Sequence, residues 1–147
     1  MDDRADTLLA RKLGLRAGQA VAFVGLPDDL AQLARAAEFR RIERAPDWRA
    51  LPEGARDGIH IFATTVAQMR AALPVLHDLI APAGAIWVHW PRTALPTDIT
   101  AGAIRAAAPA DMAVEARVRA TDAVWSCMKL VVRAEAQADH LNSGVLA

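Results

Sequence analysis

The stretch from Asp57 to Arg92 constrains this chain most. A short apolar run, Ile59 to Ala63, leads into Thr64-Thr65, polar residues suited to starting a helix. Val66, Met69, Leu73, Leu76 and Ile80 follow at spacings of three and four, one apolar stripe on a helix. Pro82 and Gly84 are expected to stop that helix. A second apolar run, Ala85 to Trp90, is closed by Pro91. Strand, helix and strand within about 30 residues make a βαβ unit, so strands 59–63 and 85–90 should lie parallel in one sheet.

The remaining chain extends this unit. Asp6 or Thr7 is placed to cap a short helix carrying Leu8, Leu9 and Leu13, ended by Gly14. Ala20 to Val24 is continuously apolar, the form of a strand buried on both faces. Gly25-Leu26-Pro27-Asp28-Asp29 turns the chain, with Asp28 or Asp29 capping a helix that buries Leu30, Leu33, Ala34 and Ala37. Residues 40–45 have one strong apolar residue, Ile42, and suit an edge strand. Residues 46–56 form a loop or helical turn held down by Trp48. Thr97 and Asp98 are expected to start a helix ending before Pro109. Strands 114–120 and 124–133 follow one another too closely for a crossover, so they pair as an antiparallel hairpin. The tail 134–147 is polar and small. Parallel strands separated by helices give one α/β domain over 1–147, doubly wound, with core 8–133 and a closing hairpin.

Composition excludes several classes. Seventeen basic and seventeen acidic side chains cancel, which argues against nucleic acid as a partner. One cysteine, Cys127, excludes an internal disulfide and a multi-cysteine metal site. His60, His77, His89 and His140 have no metal-ligand spacing, so no metal is expected. The acidic N-terminus is not a signal peptide, and no apolar run reaches the ~20 residues of a membrane span. The expectation is a bacterial cytoplasmic protein with no membrane contact.

The order of elements, and the phrase Leu76-His77-Asp78-Leu79-Ile80-Ala81-Pro82-Ala83-Gly84-Ala85-Ile86-Trp87-Val88, resemble a truncated class I methyltransferase, a Rossmann-like fold. A smaller family is also resembled. Leu9 to Leu15, Val21 to Val24 with Pro27-Asp28, Trp90-Pro91-Arg92, and Asp122 through Trp125-Ser126 to Lys129 are similar to the bacterial domain of unknown function 3052. That family often has Lys at the position of Arg92, and it implies no established activity. The larger resemblance implies a glycine-rich turn after the first strand and an acidic residue ending the second, which holds ribose hydroxyls. Here the turn offers one glycine, Gly25, and Pro27 removes an amide donor. Glu43 is the sole acidic candidate and stands early. No cofactor is therefore expected; in particular, S-adenosylmethionine is not expected to bind.

Topology places a cleft at the carboxyl ends of the strands. Its candidate residues are Gly25, Pro27 and Asp28 after the first strand, Thr64 and Thr65 after the third, and His89, Trp90 and Arg92 at the fourth. Asp28, Thr64 and Thr65 also suit helix caps. His89 has the chemistry of a general base near neutral pH. Trp90 has the surface to stack on a flat ligand, and Arg92 the charge to meet an anion; the competing assignment puts Trp90 over the sheet edge. Lys129 shares a strand face with Trp125, Cys127 and Val131, which is costly unless it snorkels or pairs with Asp122 or another carboxylate. Cys127 reads as core. Three roles compete: a non-catalytic domain binding a protein partner or small ligand, an enzyme with an altered nucleotide-cofactor pocket, and a homodimer subunit joined through the edge of the final hairpin.

Overall fold

The computed structural model describes residues 8–115 and 118–133. The cap expected at Asp6 or Thr7 and the tail 134–147 lie outside them. Four strands form the parallel part of the sheet: β1 (Ala20–Val24), β2 (Arg41–Ala45), β3 (Arg56–Phe62) and β4 (Ile80–Pro91). Strand β7 (Trp125–Val132) runs antiparallel beside β4. Two short strands, β5 (Met112–Val114) and β6 (Arg119–Ala120), both pair antiparallel with β7. The order is β2-β1-β3-β4-β7-β5, with β6 also on β7. The parallel βαβ unit and the edge position of β2 agree with the sequence. The first hairpin strand does not run unbroken: it divides into β5 and β6, with residues 116–117 outside the described set.

Alternation along each strand gives the sheet two apolar faces. On one face Ala22, Val24, Ile59, Ile61, Ile86, Val88, Trp90, Met128 and Leu130 pack beneath α2 (Val66–His77) and α3 (Ala101–Ala107). On the other, Val21, Phe23, Phe62, Ala85, Trp87, Trp125 and Cys127 meet α1, helical over 8–12, and a 3-10 helix at Asp28–Arg35. α1 closes as expected at Gly14, whose φ is 69°. Leu15 N–H donates to Ala10 and Gly14 N–H to Arg11, a pair of bonds that satisfies the last carbonyls while Leu15 and Ala10 pack together.

Three boundaries differ from the sequence reading. The helix expected to reach Pro82 ends at His77, because Ile80 already pairs with Arg56. Residues 81–84 bulge before pairing resumes at Ala85 opposite Gly58. Gly84 fits there because a Cβ would stand 2.8 Å from the Arg56 carbonyl oxygen. The helix expected from Thr97 begins at Ala101, capped by Thr100. Asp98 instead accepts the Val66 N–H at 2.8 Å, satisfying an amide of α2 from another segment. After β1 the helix is 3-10 rather than α. Pro27 is its N-cap, and neither Asp28 nor Asp29 caps it.

Candidate functional site

Strand register lines up the side chains of the α1 face in three rows. Val21, Gly58, Ala85 and Val131 form the row nearest the amino ends of the parallel strands. Phe23, His60, Trp87 and Lys129 form the second. Phe62, His89, Cys127 and Arg119 form the third. The first row is small, and a Cβ on Gly58 would meet nothing within 4 Å. A cavity of ≈ 570 Å³ opens above it, walled by the 13–19 turn, Asp57, His60, Trp87 and Lys129.

The second and third rows hold a buried polar chain among aromatic rings. His60 stacks between Phe23 and Trp87, with ring centroids 5.1 and 5.5 Å apart. His89 stacks on Phe62 at 4.2 Å. His60 Nδ1 lies 3.0 Å from His89 Nε2, and His89 Nδ1 lies 2.6 Å from the Thr121 hydroxyl. Thr121 in turn hydrogen-bonds the buried Cys127 thiol. Burial drives His60 down from 6.5 to about 3. Burial, and then the adjacent His60, hold His89 well below its ordinary value. Burial raises the Cys127 thiol. Both imidazoles are therefore neutral at pH 7, each with one N–H to give. The protons run in one of two senses along Thr121, His89 and His60. In one, His60 Nε2 carries hydrogen toward the cavity; in the other it presents a lone pair.

Lys129 finds no carboxylate among the described residues. Its Nζ lies 5.3 Å from the centre of the Trp87 ring, where the aromatic face attracts a cation. Asp122, the expected partner, instead accepts the N–H groups of Val124 and Trp125 at 2.8 Å.

The carboxyl ends of the strands are more closed. Gly25 has φ 70°, its N–H donates to Ala45, and a Cβ there would stand 3.1 Å from the Phe62 carbonyl oxygen. The glycine thus lets the turn pack on the end of β3. A recess of ≈ 270 Å³ lies between Gly25-Leu26 and Arg44 to Pro46. Glu43 stands opposite Ala22, two residues before the end of β2. Its two carboxylate oxygens accept from Arg56 Nε and Nη2 at 2.8 and 2.9 Å, and Arg41 adds a contact at 3.2 Å. Arg56 is 0% exposed and also donates to the carbonyls of Pro52 and Gly54. The hydrogen bond from Arg56, against some burial, holds Glu43 below its ordinary value.

No family model matches the sequence, and no curated protein does. Solved structures match its backbone. Magnesium protoporphyrin IX methyltransferase from Synechocystis, solved with bound S-adenosylmethionine, is similar with a TM-score of 0.61 at 15% identity, over 89% of this chain and 77% of that one. A SAM-dependent methyltransferase from Aquifex aeolicus gives 0.60 at 12%, over 86% and 89%. TrmN from Thermus thermophilus gives 0.55 at 16% over 89% of this chain, which spans only 49% of TrmN. The fold is that of the class I methyltransferases.

Within that fold, the residues expected to form one cleft are dispersed. Gly25, Pro27 and Asp28 stay at the turn after β1, where Pro27 caps the 3-10 helix and Asp28 lies in its first turn. Thr65 caps α2 by accepting the Gln68 N–H, and Thr64 N–H donates to the Gln68 side chain at 3.2 Å. His89 turns inward to the α1 face and does not reach the carboxyl-end cleft. Trp90 is a core residue under α2, 7% exposed, so its ring is unavailable for stacking on a ligand. Arg92 is exposed, as are Asp28 and Thr65, and its N–H donates to Val124 at 2.6 Å. Sequence reasoning overlooked Arg56 and His60. Arg56 carries no local signal. His60 does: its neighbours Ile59 and Ile61 share one face, which leaves it on the other beside His89.

Proposed function

We propose that this chain is a methyltransferase-fold domain that acts by binding a small ligand or a protein partner, and does not transfer a methyl group from S-adenosylmethionine. The observation that carries the reading is the Glu43–Arg56 pair. A carboxylate has about four acceptor positions, and three of Glu43's are taken by Arg56 and Arg41. The one acidic candidate for a ribose ligand, two residues before the end of β2, is committed to a buried cation. Two further features support the same reading. The Gly25 N–H is spent on Ala45, and Pro27 has none, so the turn after β1 keeps few amides for a ligand. The helix that follows is a 3-10 segment, whose end is less ordered toward an anion than an α-helix terminus.

Calorimetry with S-adenosylmethionine and S-adenosylhomocysteine tests the reading. The expected result is no saturable binding up to ~1 mM, the range in which ~4 kcal/mol would register. The structures solved with these cofactors bound give the rival outcome: micromolar affinity would make the chain an enzyme with an altered pocket and overturn the proposal.

A further inference from the structure

The ≈ 570 Å³ cavity at the amino ends of β1, β3 and β4 lies at the opposite end of the sheet from the position discussed above. It combines three features that a packing defect does not need. Its floor is apolar, from Val21, Ala85 and Val131. His60, 1% exposed, lines it and is held by a hydrogen bond through Nδ1 alone. Among the described residues no buried side-chain nitrogen or oxygen lacks a partner, so Nε2, which has no hydrogen bond there, is the ring atom that meets the cavity. Lys129 brings a cation that no described carboxylate neutralises.

We infer that this cavity is a binding site for a small monocarboxylate whose apolar body carries a second polar group. Lys129 meets the carboxylate. A single negative charge is preferred because Asp57 also lines the cavity, its carboxylate tied to the Ala20 N–H at 2.7 Å and to Arg40 at 3.4 Å. A dianion such as phosphate would meet that charge. His60 Nε2 hydrogen-bonds the second polar group. His60 and Lys129 flank Trp87 on neighbouring strands in one row, so the two polar ends of the ligand stand ~5–10 Å apart, one to two strand spacings. Because Thr121, His89 and His60 form one hydrogen-bonded chain, His60 accepts from a ligand hydroxyl in one proton arrangement and donates to a carbonyl in the other. The inference stands whether or not S-adenosylmethionine binds, since no residue is shared with the Glu43 and Gly25 region.

An amide-detected NMR titration of the full chain tests it, with 4-hydroxyphenylacetate and 6-hydroxyhexanoate as probes. At least one of them is expected to give saturable shifts at Gly58, Ala85 and Val131. Lys129→Met should weaken that binding about tenfold or more, the scale of one charge-assisted hydrogen bond. Phenylacetate, lacking the hydroxyl, and 4-hydroxyphenylacetamide, lacking the charge, should each bind the unaltered protein more weakly than 4-hydroxyphenylacetate. Inorganic phosphate should not compete. Three results would overturn the inference: no saturable shift with either probe, shifts that map to another surface, or Lys129→Met binding as tightly as the parent.

Discussion

Acid should weaken this fold well above the pH at which its carboxylates titrate. His60 is pushed to about 3 in the folded chain, against 6.5 when unfolded. Its folded pKa is depressed, so the unfolded state takes up a proton that the folded state refuses. The His60 contribution is therefore flat above about 6.5 and falls as pH drops toward 3. Each pH unit in that window costs ~1.4 kcal/mol per proton refused. Going from pH 6.5 to 5 costs ~2 kcal/mol through His60 alone. His89, held low by burial and by His60, adds a loss of the same sign. A total stability of ~5–15 kcal/mol makes that loss large. Urea melts at pH 7 and pH 5 measure it, and histidine ring resonances report each site. The reasoning fails if the midpoint is unchanged or rises between pH 7 and 5, or if the His60 and His89 rings titrate near 6.5.

The other consequences can be checked with single substitutions. Glu43→Gln leaves the Arg56 guanidinium buried without a counter-charge and should cost ~3–5 kcal/mol in urea melts; a loss under ~1 kcal/mol would show that the pair is not structural. Trp90→Ala should cost ~3–5 kcal/mol as a core truncation, while Arg92→Ala stays within ~0.5 kcal/mol; a neutral Trp90→Ala would return that ring to the list of binding residues. At His77 burial lowers the pKa, but contacts with Asp111 at 2.8 Å and Asp78 at 3.4 Å outweigh it and raise the pKa above 6.5. That stability is complete below 6.5 and is lost as pH rises through the raised value, so Asp111→Asn should flatten the alkaline side of the pH profile and leave the acid side intact.

Patterning made most of the fold legible. Continuous apolar runs identify β1, β3 and β4, because both faces of each strand are covered. Met69, Leu73 and Leu76 mark α2 and are fully buried. The 3-10 segment was less legible. Leu30 and Leu33 are buried three residues apart, a spacing that both helix types share. The candidate site was mostly illegible for a different reason. The topological rule points to the carboxyl ends of the strands, whereas the large cavity lies at the amino ends. What opens it is the absence of side-chain volume at Gly58 and Ala85, and two small residues 27 positions apart give no signal until register sets them side by side. The same holds for Arg56 and Glu43, thirteen residues apart on different strands.

Strand order is what 12–15% identity to solved methyltransferases conveys. Order decides which residues share a row across the sheet; it does not decide what fills the row. At the carboxyl ends less space is left: Gly25 packs against Phe62, Trp90 sinks under α2, and the recess beside Pro46 is the smaller of the two, ≈ 270 Å³. At the amino ends the row Val21, Gly58, Ala85, Val131 is too small to fill the volume between the sheet and the 13–19 turn. Next to it stands a row of large rings, Phe23, His60 and Trp87, stiff enough to keep the opening from collapsing. A protein interior closes any void its side chains can reach at little cost. One this size, bordered by a neutral imidazole and an ammonium with no carboxylate partner among the described residues, has the composition of a ligand pocket: apolar walls with a few converging polar groups.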